Sequence, residues 1–142
     1  MNRLLLVCLL VFLACAPTAL AQKPNGAQKH SPRSVFNDIQ QGIASGNVSL
    51  FSPSFHSQVH VTLRGGESGL FSANQAYYLL LNYFRERKTA GFVFTTYGDP
   101  GTNPYATGGI VFIARGAREN AQVYAALANN GDRWVITHIN IY

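Results

Sequence analysis

Charge is scarce in this chain. Its 142 residues include 11 Lys or Arg and 6 Asp or Glu, about 12% in all. So few acids leave little material for carboxylate chemistry or for multi-carboxylate metal sites. Cysteine is nearly absent, and Cys8 and Cys15 alone cannot build a disulfide scaffold or a structural zinc site. No apolar run approaches the ~20 residues of a membrane helix. What the chain has instead is 47% apolar residues, too many for disorder, in a length that suits one domain. Collagen, coiled coil, zinc finger and multi-pass membrane protein are all disfavoured.

The apolar excess is uneven. Residues 4–15 form a greasy run behind Arg3, and Ala19-Leu20-Ala21 supplies a small-x-small end. This pattern predicts a secretory signal over residues 1–21, cut before Gln22, and an exported protein, periplasmic or secreted. A lipoprotein reading through Cys15 is weaker, because Phe12 stands where a small aliphatic residue is wanted. Cleavage would remove both cysteines and leave ten basic and six acidic side chains. Residues 22–33 (QKPNGAQKHSPR) read as a flexible linker, and residues 34–142 as the folded domain.

Ser34 as N-cap, Phe36, Ile39 and Ile43 at helical spacing, and Gly46 as the stop predict a helix over 35–45. Alternation over 55–63 predicts a half-buried strand, and 68–71 a short returning one. Ser72 and Gln75 form a capping-box pattern, with Phe71 and Ala76 placed for a hydrophobic staple. They open a helix whose Ala76, Leu80, Tyr83 and Phe84 share one face. Segments 92–97, 105–115, 122–128 and 133–142 read as strands separated by turn signals, hence an antiparallel meander. Helices first and a meander last is an α+β arrangement, the helices packed on one sheet face.

Three phrases carry a family likeness: Ile43-Ala44-Ser45-Gly46-Asn47, the Ser72-led helix with Gln75-Ala76, and Asn130-Gly131-Asp132-Arg133-Trp134-Val135-Ile136. With this element order the chain resembles the nuclear transport factor 2-like (SnoaL-like, cystatin-type) superfamily. More narrowly it is similar to the bacterial exported domain of unknown function 4783. The resemblance implies a curved antiparallel sheet wrapped around helices as a cone with a pocket. It implies little about activity, since that superfamily spans enzymes and plain binding or assembly modules.

A two-residue turn at Asn130-Gly131 would pair Leu127 with Trp134, Ala125 with Ile136, Val123 with His138 and Ala121 with Asn140 on one face. On that register Trp134, Ile136, His138 and Asn140, with Tyr83 and Phe84, form the wall of a ligand pocket. The reverse face, carrying Tyr124, Val135, Ile139 and Ile141, suits a homodimer. None of Asp38, Glu67, Glu86, Asp99, Glu119 and Asp132 falls in the middle of an expected strand. Proton-transfer catalysis would therefore rest on His138.

The favoured expectation is a non-catalytic binding module for a small apolar or amphipathic ligand or an envelope protein, with no cofactor and no metal. Two alternatives stand beside it. One is a cofactor-free lyase or isomerase with His138 as base and Asn140 or a tyrosine as oxyanion donor; the other is an architectural homodimer with a filled cone. His56 and His60 would share a strand face roughly 13 Å apart at about 3.3 Å per residue, too far to chelate one ion. The Arg85, Arg87 and Lys88 cluster is too small for a nucleic-acid footprint.

Overall fold

The computed structural model describes residues 31–99 and 101–142; the expected signal and most of the expected linker lie outside them. Helix α1 spans Pro32–Ser45, beginning earlier than Ser34 suggests. Ser31 caps it, its side chain accepting from the Ser34 N–H, and Pro32 occupies the first turn, where its fixed φ is pre-organised and no donor is wasted. Gly46 ends it in the left-handed conformation at φ 68°, its N–H returning to the carbonyls of Gly42 and Ile43. Two single 3-10 turns, Val48–Leu50 and Ser52–Ser54, lead to β1, Phe55–Leu63.

Strand β2 is Ser68–Ser72 and helix α2 is Ala73–Glu86. The capping box forms as the sequence predicts: Ser72 Oγ accepts the Gln75 N–H at 3.2 Å, and Gln75 Oε1 accepts the Ser72 N–H at 3.0 Å. Then follow β3 Lys88–Phe92, β4 Thr96–Gly98, β5 Tyr105–Ala114, β6 Ala117–Asn129 and β7 Trp134–Ile141. The expected single strand 92–97 is thus two. At the break the Phe94 N–H is taken by Gln40 Oε1 of α1 at 2.8 Å, so it leaves the ladder.

The sheet order is β2-β1-β7-β6-β5-β3, with β4 also on β5. Every pairing is antiparallel except β1 with β7, which is parallel. Both helices cover one face. Ile39 and Ile43 of α1 and Leu80 of α2 meet Val59, Val61, Ile136, Ile139 and Ile141 of the strands, all fully buried in one cluster. Each such side chain contributes about 1.5–3 kcal/mol relative to exposure. This is the α+β cone.

The β6–β7 hairpin departs from the expected register in two ways. Its loop has four residues, 130–133, with Asn129 opposite Trp134, which keeps Leu127 and Ile136 together on the helix-covered face. A bulge then follows. Leu127 faces Ile136 but Ala126 faces His138, so Thr137 is an extra residue on β7. Because side chains alternate, one extra residue exchanges the two faces. Ile139 and Ile141 turn inward opposite Ala125 and Val123, while His138 and Asn140 turn outward opposite Ala126 and Tyr124. The inferred pairs Val123 with His138 and Ala121 with Asn140 are corrected accordingly, and Ile139 and Ile141 belong to the core rather than to the reverse face.

Candidate functional site

The six residues expected around one pocket divide between two sides of the sheet. Tyr83, Phe84 and Ile136 sit in the core, with Trp134 packed half-buried against it. Their neighbours fill the space between them: Phe112 stands 5.8 Å from the Tyr83 ring and 6.3 Å from the Phe84 ring, centre to centre. Phe84 borders a surface cavity beside Arg85 and Lys88, and Trp134 borders a different one beside Asp38 and Arg133. These two cavities share no lining residue.

Tyr83 is nevertheless chemically distinct. Its hydroxyl donates to the Arg64 carbonyl at 3.2 Å and the Arg87 guanidinium lies 4.4 Å from its ring centre. Burial pushes its phenol above the ordinary range, against the opposing pull of Arg87. Glu119 adds to the rise. That acid lies inside β6, opposite Phe112, because the strand begins at Ala117 rather than at Gln122. It is exposed.

His138 and Asn140 lie on the face without helices. There the register builds two rows across five strands: Tyr105, Ala126, His138, His60 and Leu70, and beside it Thr107, Tyr124, Asn140, Thr62 and Ser68. Neither row contains Asp, Glu, Lys or Arg. Tyr105 stacks on Tyr124 at 5.7 Å, Tyr124 meets His138 edge-on at 6.4 Å, and His138 stacks on His60 at 5.4 Å. Rings therefore run continuously from β5 to β1. Leu70, at the end of the first row, is 59% exposed.

The hydrogen bonds favour one tautomer of His138. Thr137 Oγ1 donates to the Ala126 carbonyl at 3.2 Å, which uses its only proton. The same oxygen lies 3.0 Å from His138 Nδ1 and can then only accept. This arrangement favours the Nδ1–H imidazole, with the Nε2 lone pair left over. Burial, and then the neighbouring His60, hold its pKa below the ordinary 6.5, which favours this neutral form. The His60 Nδ1 and the Asn140 Oδ1 are buried without a hydrogen-bond partner.

This histidine pair was invisible in the sequence. His60 and His138 are 78 residues apart, and only the parallel β1–β7 pairing makes them direct neighbours. Elsewhere, a cavity of about 330 Å³ opens between Phe36, Tyr97, Pro104 and Tyr105, with the Arg33 guanidinium 4.3 Å from the Tyr97 ring centre. Among the described residues no cluster of three or more His, Cys, Asp or Glu could hold a metal, and no helix is long and apolar enough to cross a membrane.

Known structures agree with this architecture. A DUF4783 family protein from Bacteroides ovatus is 17% identical, superposes with a TM-score of 0.62, and the match covers 73% of this chain and 90% of that one. For one from Bacteroides uniformis the values are 15%, 0.63, 74% and 93%. A nuclear transport factor 2-like protein from Anabaena variabilis is 16% identical, with a TM-score of 0.61 over 78% of this chain and 84% of its own. No curated protein matches. At these identities the likeness speaks for the fold alone. The family pattern of the domain of unknown function (DUF4783) matches residues 36–142, and the chain therefore belongs to that family.

Proposed function

We propose that this is an exported, non-catalytic module that associates with a second copy of itself through the helix-free face of its sheet. The observation that carries the reading is the contrast between the two faces. On the helix side Tyr83, Phe84, Phe112 and Ile136 are buried together in the core. On the other, two uncharged rows with stacked Tyr105, Tyr124, His138 and His60 lead to exposed Leu70. A surface of this kind suits a like surface, since the cleaved chain, with ten basic and six acidic side chains, approaches its copy with least repulsion where it carries no charge. Catalysis is disfavoured because no acid among the described residues is buried, so His138 would work as a base without a desolvated carboxylate partner.

Sedimentation velocity tests the reading. The wild type should run as a dimer, and Tyr124→Asp and Leu70→Asp as folded monomers. A wild type that is monomeric at high concentration overturns it. Amino-terminal sequencing of protein from its native host tests export, with Gln22 as the expected first residue.

A second reading, capture of a small amphipathic molecule, is favoured by the cavity of about 330 Å³ at Phe36, Tyr97 and Tyr105, which sets one cation, Arg33, against an aromatic wall. Titration with a medium-chain fatty acid, read against a Tyr97→Ala variant, would support it if binding fell with the substitution.

A further inference from the structure

We infer that His60 and His138 form a two-imidazole site for a borderline divalent transition-metal ion such as Zn²⁺ or Cu²⁺. The inference needs the groups of one chain only and does not depend on self-association. Its first support is register. The two residues are direct partners on neighbouring parallel strands, so their side chains leave the sheet side by side in the same direction.

Distance is the second support. Two imidazoles bound to one tetrahedral ion through bonds of about 2.0–2.1 Å hold their ring centres roughly 5 Å apart. Here the centres are 5.4 Å apart and the planes differ by 29°. Small side-chain rotations would bring one nitrogen of each ring to a common ion.

Proton inventory is the third. A metal-ligating histidine commonly donates its other N–H to an oxygen, which fixes the tautomer and presents the ligating lone pair. The Thr137 hydroxyl already does this for His138, leaving Nε2 as the donor atom. His60 has its Nδ1 buried without a partner, and the unpartnered Asn140 Oδ1 on the same face, next but one to His138 along β7, is a candidate third donor. Imidazole nitrogen with an amide oxygen suits Zn²⁺, Ni²⁺ and Cu²⁺ and gives no advantage to Mg²⁺ or Ca²⁺.

By contrast, His56 already has its Nδ1 engaged by the Gln58 N–H at 3.3 Å, and no ring contact joins it to the pair. It supplies an internal control.

The test is calorimetric titration of the full chain with ZnCl₂, alongside His60→Asn, His138→Asn, His56→Asn and His30→Asn. One ion should bind per chain, with affinity at least tenfold weaker in each of the first two variants and unchanged in the last two. Circular dichroism melts establish that each variant is folded. Should either pair variant fail to fold, the wild type decides: Cu²⁺ electron paramagnetic resonance should show two coupled imidazole nitrogens, and Zn²⁺ should shift the His60 and His138 ring ¹⁵N resonances before those of the other histidines. Absence of Zn²⁺ binding, equal loss in His56→Asn, or coupling to a single nitrogen overturns the proposal.

Discussion

Gly108 lies directly against the Val93 carbonyl: a β-carbon on Gly108 would overlap that oxygen and stand 2.9 Å from the Phe94 Cα. Strand β5 runs under the segment that joins β3 to β4, and only hydrogen fits between them. Gly109, one residue on, faces the other way, and a β-carbon there would meet nothing nearer than Gln122 Nε2 at 3.7 Å. Gly108→Ala should therefore lower stability by about 1–3 kcal/mol or more, as overpacking does, while Gly109→Ala should change it little. Urea denaturation of the two variants reads the difference, and equal midpoints would show that the segment can move aside.

Ser72 and Gln75 satisfy each other's backbone donors at the start of α2. Removal of the hydroxyl in Ser72→Ala should cost about 0.5–2 kcal/mol. Ser72→Asp should recover most of it, because a carboxylate at the N-cap accepts the same hydrogen bond and faces the positive helix end. Thermal melts of both variants check the order.

Acid should weaken the fold through His138. Its folded pKa is lowered from 6.5 by burial and then by His60, so the unfolded chain binds the proton more readily. Its contribution is intact above the unfolded value of 6.5 and is lost as the pH falls from there through the lowered folded value. Denaturation midpoints measured downward from pH 8 should begin to fall near 6.5, and the slope should flatten in His138→Gln. A slope unchanged in that variant would assign the titration to another group.

The Thr137 hydroxyl beside the His138 imidazole allows a direct check on its tautomer. The wild type should show His138 Nδ1 protonated and Nε2 bare in ¹⁵N spectra at pH 8. Thr137→Val keeps the shape, removes the acceptor, and should shift His138 toward the Nε2–H form that predominates in free imidazole side chains. Persistence of the Nδ1–H form in the variant would mean that a different acceptor holds the ring.

Local signals were legible in the sequence and long-range ones were not. Ser72 with Gln75 marks α2 because the cap and its partner are three residues apart, and Asn130-Gly131 marks the hairpin because the turn depends on its own backbone. The Thr137 bulge has no such signature. Thr137 reads as an ordinary strand residue, and its displacement shows only in the register against β6. That single residue separates His138 and Asn140 from Trp134 and Ile136, and with them the expected pocket wall. The split between β3 and β4 was hidden likewise, since it depends on Gln40, which lies 54 residues before Phe94.

Strand β7 is made after every other described element, yet it lies between β6 and β1 near the middle of the sheet. Until residues 134–141 have been synthesised, the β1–β2 hairpin and the β3–β6 meander share no strand through which to join. The sheet therefore closes late, around β7, and a nascent chain lacking that strand leaves β1 and β6 as two further open edges.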